Sequence, residues 1–93
     1  MKLTEFVLAG CPYCRIAEEL LRELYAERPE FAKIEIEVID ESLDSALADT
    51  YDYYRVPSFF SGREKLYEAN PLWPRSEVRK RLEKMLDGVL EAG

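Results

Sequence analysis

Leu8-Ala9-Gly10-Cys11-Pro12-Tyr13-Cys14-Arg15-Ile16-Ala17 joins a strand to a helix and carries both cysteines of the chain. Upstream, Lys2 to Leu8 reads as a strand: Leu3, Phe6, Val7 and Leu8 suit a sheet, and Gly10 stops it. Downstream, Pro12 suits the first turn of a helix, where its missing N–H costs nothing. Ile16, Ala17, Leu20, Leu21 and Leu24 then follow helical spacing, with Glu18, Glu19, Arg22 and Glu23 on the other face. Pro29 closes that helix by about Arg28.

Two cysteines at this junction point to thiol chemistry. A thiolate, not a thiol, attacks a disulfide. Cys11 falls near the helix N-cap, where unpaired N–H groups and the helix dipole favour negative charge. Cys14 follows one turn later, within reach of a mixed disulfide formed on Cys11. Pro12 fixes the helix start, and Tyr13 offers an aromatic surface beside the nucleophile. Other readings of a C-x-x-C exist. A zinc site needs four ligands, and this chain has no third cysteine and no histidine. Two chains could share an iron–sulfur cluster or a metal through their cysteines. Two inert buried thiols fit a strand-to-helix loop poorly. Redox work is the expected role, with no metal bound.

Beyond this helix, Ile34-Glu35-Ile36-Glu37-Val38-Ile39 alternates apolar and charged residues and predicts a strand. Asp40 to Asp44 is a turn with Ser42 as the expected N-cap. Leu43, Ala46, Leu47 and Tyr51 then stripe a second, weaker helix. Val56 to Phe60 is a short strand opened by Pro57, Ser61-Gly62 a turn, and Lys65-Leu66-Tyr67 the returning strand. Asn70 to Pro74 is a loop, and Val78, Leu82, Met85, Leu86, Val89 and Leu90 mark a last helix ending at Gly93. The order β-α-β-α-β-β-α predicts an α/β domain over residues 1–93. A four-stranded mixed sheet, parallel early and antiparallel late, would have helices on both faces.

Composition narrows the function. Ninety-three residues, 47% of them hydrophobic, can form one small core and are not a disordered tail. A net charge of −6 argues against nucleic acid or an anionic membrane as partner. The lack of histidine removes His-based triads and imidazole switches. Two cysteines cannot build a secreted disulfide scaffold, and no leader or membrane span is visible, so a cytoplasmic monomer is expected.

Cys11-Pro12-Tyr13-Cys14 after a first strand resembles the active site of the dithiol glutaredoxins, within the thioredoxin-like superfamily. The resemblance covers nearly the whole chain and implies a thioredoxin-like fold. It also implies thiol–disulfide oxidoreductase activity on disulfide-containing proteins or small disulfides, with Cys11 as nucleophile and Cys14 resolving. It further implies no bound cofactor, with glutathione or a thioredoxin-reductase system as the reductant. In both glutaredoxins and thioredoxins a cis-proline faces the active site, and Val56-Pro57 matches it. A cis bond there would offer the Val56 N–H and C=O to a substrate backbone. The substrate surface implied is Pro12, Tyr13, Arg55, Val56 and Pro57.

The sequence departs from glutaredoxins at two glutathione-holding positions. Leu8 stands where that family places a basic residue three before the first cysteine. Leu66-Tyr67-Glu68-Ala69-Asn70 lacks the Gly-Gly and following Asp that bind the γ-glutamyl end. Arg55-Val56-Pro57 is similar to the stretch thioredoxins carry before their cis-proline. Glu5 lies six residues before Cys11, where thioredoxins place a buried Asp that takes a proton from the second cysteine. The residue pattern alone favours a Glu5 that solvent reaches. Arg15 is as well read as a solvated helix residue as a thiolate partner. Tyr51, Tyr53, Tyr54 and Trp73 are expected to pack rather than touch substrate. Glu18, Glu19, Glu23 and Glu27 read as a solvated helix face.

Overall fold

A computed structural model describes all residues 1–93. The strands are β1 (Lys2–Val7), β2 (Glu35–Asp40), β3 (Ser58–Ser61) and β4 (Glu64–Glu68). The helices are α1 (Pro12–Glu27), the four-residue α2 (Ser45–Ala48) and α3 (Arg75–Ala92), and a 3-10 turn over Pro29–Lys33 follows α1. The sheet order is β2-β1-β3-β4, with β1 and β2 parallel and the other two pairs antiparallel. This is the predicted order and the predicted mixed sheet.

The alternation in β1 sends Leu3 and Glu5 to one face and Phe6 to the other. On the first face, Leu3, Phe59 and Tyr67 meet Ala17, Leu20 and Leu24 of α1 and Leu82, Met85 and Leu86 of α3. On the second, Phe6 and Phe60 pack with Ala48 of α2 and the rings of Tyr51 and Tyr53. Phe59 and Phe60 are both sealed because β3 is covered from both sides, so helices flank the sheet as expected. The tyrosines at 51 and 53 therefore pack, while Tyr54 projects into solvent.

Four local expectations change. The second helix is one turn long, and its N-cap is Asp44, whose carboxylate accepts from the Leu47 N–H, not Ser42. Ser42 instead bonds to the Asp40 carboxylate within the turn. Leu43 lies outside the helix and is 86% exposed. Strand β2 runs one residue later than its alternation suggested, because the 3-10 turn takes up the chain to Lys33 and Ile34 sits at its end as a core residue. The helix glutamates are not simply solvated. Arg75 bridges Glu19 and Glu23, and Arg79 bridges Glu23 and Glu27, so they clasp α1 to α3.

Candidate redox site

The Leu8 carbonyl accepts the Cys11 N–H at 3.1 Å, closing a turn whose third residue is Gly10 at φ +83. A turn with positive φ at that position wants glycine. It reverses the chain after β1 and delivers Cys11 to the N-cap of α1 with extended backbone angles. Pro12 takes the first helical position, and the Cys11 carbonyl receives the Arg15 N–H at 3.2 Å. The first-turn N–H groups have no side-chain cap and no acidic residue beside them. A negative sulfur at Cys11 would meet that partial positive charge.

One turn on, Cys14 is buried, while Cys11 is half-buried; both are free thiols 3.6 Å apart. Burial is the main cause that pushes the Cys14 thiol up to about 12; a backbone hydrogen bond at Leu8 acts the other way, and Cys11 and Glu5 add to the rise. The pair is thus unequal: an accessible sulfur in front and a protected thiol behind.

The Val56-Pro57 peptide bond is cis, and the Val56 carbonyl oxygen lies 3.9 Å from the Cys11 sulfur. The Val56 N–H makes no hydrogen bond within the chain. Pro57 is buried and its carbonyl accepts the Ala69 N–H. The Glu68 carboxylate holds the approach to this segment by accepting the Tyr54 and Arg55 N–H groups at 2.6 and 2.7 Å. Sequence reasoning missed Glu68, since nothing in an acid at a strand end announces that it fixes a loop 13 residues upstream. Arg55 contributes its backbone here; its guanidinium is exposed and makes no hydrogen bond or ion pair. Tyr13 is 46% exposed and lines a narrow cleft shared with Asn70 and Trp73. Trp73 packs at a tilt against Tyr67 and under the Arg81 guanidinium, the packing role expected of it.

Glu5 is the main correction. It is buried, 4% exposed, and not on a solvated strand face. The register explains it: Glu5 pairs with Val38 on one side and Phe59 on the other, in the middle of the sheet and under α1. A cavity of about 500 Å³ runs beside it, lined by Cys11, Cys14, Arg15, Glu18 and Asp40 among others. Burial, and then the Glu18 charge, raise the Glu5 carboxyl to about 7. Glu18 is exposed, as the sequence reading expects, and it also lines the same cavity as the cysteines. Nowhere in the chain do three Cys, Asp or Glu side chains converge to hold a metal ion. No helix is long and apolar enough to cross a membrane.

No protein-family model matches this chain, and no curated protein matches it by sequence. Solved structures do match. Thioredoxin 1 from the thermophilic eubacterium Thermosipho africanus TCF52B is 20% identical, over 94% of this chain and 96% of that one, with a TM-score of 0.59. A point mutant of a thioredoxin from Halobacterium salinarum NRC-1 is 22% identical, over 91% and 74%, with a TM-score of 0.57. A malarial protein gives 14%, 91% and 96%, and 0.59. Such low identities carry architecture alone, and the architecture agrees with the strand order and register above: the chain has the thioredoxin-like fold.

Proposed function

We propose that this protein is a dithiol–disulfide oxidoreductase that reduces disulfides of proteins or small molecules. One observation carries the reading: a half-buried Cys11 at an uncapped helix N-terminus, backed at 3.6 Å by a buried Cys14. Cys11, as thiolate, attacks one sulfur of the substrate disulfide. That S–S bond breaks, a mixed disulfide forms on Cys11, and the departing thiolate takes up a proton. Cys14 then loses its proton and attacks the Cys11 sulfur. The second substrate thiol leaves, and the protein holds a Cys11–Cys14 disulfide after giving up two electrons. With its carboxyl at about 7 and its charge acting on Cys14, Glu5 is suited to accept the Cys14 proton. The free Val56 N–H and its carbonyl can pair with an extended substrate backbone, and Tyr13 offers it an aromatic wall.

Two reductants could restore the dithiol. Glutathione is the glutaredoxin-like reading, supported by the Pro-Tyr spacer. The second reading is a thioredoxin reductase. Leu8 favours that reading, being exposed where a carboxylate-binding base would be needed, as does a Glu68 already engaged with Lys65 and two backbone amides. In either case we place the protein in a reducing compartment such as the cytoplasm, acting as a monomer without nucleic acid or membrane.

The test follows NADPH consumption with a small disulfide substrate, coupled either to glutathione and glutathione reductase or to thioredoxin reductase. Cys11→Ser should fall to the blank rate in both, and Cys14→Ser should trap partners as mixed disulfides. A Cys11→Ser protein of undiminished activity would overturn the reading. Turnover with only one of the couples names the reductant.

A further inference from the structure

A second cavity, of about 720 Å³, opens on the far side of α3 from the cysteines, between that helix and the β3–β4 hairpin. Its size is that of a small-molecule site, for which about 300–1,000 Å³ is usual. None of the redox residues lines it. Leu66, Tyr67, Trp73, Met85 and Val89 give part of its wall an apolar, partly aromatic surface, and polar and charged side chains line much of the rest.

Two polar features stand out against that lining. The Tyr67 ring is buried, 7% exposed, and packs between Phe59 and Trp73, yet its hydroxyl makes no hydrogen bond inside the chain. No buried side-chain polar atom of the chain lacks a partner, so this hydroxyl is one that open space reaches. Tyr67 also borders a cleft of about 50 Å³, which has no room for a ligand body. The larger cavity does, and Arg81 stands in its wall; burial pushes the Tyr67 hydroxyl up to about 12 and keeps it a donor, with the Arg81 charge acting the other way. Arg81 lies with its guanidinium 4.0 Å above the Trp73 ring centre and is braced by Glu77 at 2.8 Å. The other feature is Lys84, on the same wall one turn along α3, which has no carboxylate within ion-pair distance. Of the acids lining the cavity, Glu68 is already taken up by Lys65 and two backbone amides, leaving Glu64 at the opposite rim.

We propose that this cavity binds a small aromatic carboxylate, whose flat body lies against Trp73, Leu66 and Met85 and whose anionic end takes the Tyr67 hydroxyl and the Arg81 and Lys84 charges. In a protein of net charge −6, Lys2, Arg81 and Lys84 outnumber Glu64 and Glu68 around this cavity. A neutral apolar ligand would leave the hydroxyl and Lys84 unused, Arg81 being already paired with Glu77, and a compact inorganic anion would leave the wall uncovered.

The probe is 2-naphthoate, with methyl 2-naphthoate as its uncharged counterpart, titrated into isotopically labelled protein. The indole N–H of Trp73, the one tryptophan in the chain, gives a single diagnostic resonance. The expected result is a saturable shift of that resonance and of the Leu66 and Val89 amides, with the ester at least about tenfold weaker. Losing a charge-assisted hydrogen bond in Tyr67→Phe should weaken naphthoate about tenfold. Lys84→Gln, a rim charge, should weaken it about threefold. Absence of saturation at millimolar naphthoate overturns the site, as does a shift confined to Tyr13 and Ala69. Equal binding of the ester overturns the anion. If Tyr67→Phe disturbs amides across the core, Lys84→Gln carries the test, and unchanged affinity there overturns the proposal.

Discussion

Glu18 opposes the ionisation of Glu5 across a cavity that both line. Burial does most of this work, and the two together hold the Glu5 carboxyl at about 7 against an ordinary value of 4.5. Between those values the folded protein keeps a proton that the unfolded chain has released. Stability therefore falls as pH rises from about 4.5 to about 7 and is level above that. At about 1.4 kcal/mol per pH unit the loss attributable to Glu5 is about 3 kcal/mol. Glu5→Gln removes this component, so at about pH 8 it should be more stable than the native chain by about 2–3 kcal/mol, and at about pH 4 the two should be alike. Urea denaturation across this range measures the difference. Parallel curves for the two proteins would show that Glu5 does not titrate in this window. Glu5→Gln should also slow the resolution of the mixed disulfide at neutral pH, a cost separate from the gain in stability.

Gly10 offers a cleaner backbone test. It sits at φ +83 immediately before the nucleophile, and a Cβ placed there would meet no atom within 4 Å. Crowding is therefore absent, and the cost of Gly10→Ala is conformational alone, about 1 kcal/mol. Gly10→Asn, which tolerates the left-handed region better, should cost less. Denaturation midpoints of the three proteins should rank Gly, Asn, Ala, and equal midpoints for Ala and Gly would mean that the turn relaxes.

Much of this fold is legible from local signals. Gly10 and Pro12 mark the junction, Pro29 the end of α1, and the stripes from Ile16 to Leu24 and Val78 to Leu90 mark the long helices. Those features act within a few residues, so a sequence displays them. Glu5 and Glu68 do not announce themselves, because their roles depend on partners brought together by sheet register. Glu5 is enclosed only once Val38 and Phe59 lie on either side of it. Glu68 matters only because β4 runs beside the chain entering Pro57. The second helix is shorter than its apolar spacing implies for a related reason: Leu43 keeps helical spacing with Leu47, but the Asp44 cap starts the helix after it.

That difference at Leu43 can be measured. Leu24 is fully enclosed between the sheet and α3, whereas Leu43 is 86% exposed. Leu24→Ala removes buried methyl groups and leaves a cavity, and should cost about 2–5 kcal/mol. Leu43→Ala should change stability by no more than about 0.5 kcal/mol. Chemical denaturation of both variants separates them. A loss at Leu43 as large as that at Leu24 would mean that the residue is covered, as a longer second helix would require.

The inequality of the two thiols leads to a last prediction, independent of any substrate. Burial first, then Cys11 and Glu5, raise the Cys14 thiol to about 12 from an ordinary 9.0. At about pH 8 its thiolate population is then far below that of a free cysteine, and alkylation proceeds through the thiolate. Iodoacetamide should therefore mark Cys11 first and selectively, leaving Cys14 protected in the folded protein. In Cys11→Ser the neighbouring sulfur is gone but the burial remains, so Cys14 should still alkylate far more slowly than a free thiol. Unfolding in urea should bring its rate to the ordinary value. Mass spectrometry of timed, quenched samples reads both sites at once. Equal early labelling of Cys11 and Cys14 would remove the asymmetry on which attack by one sulfur and resolution by the other depends.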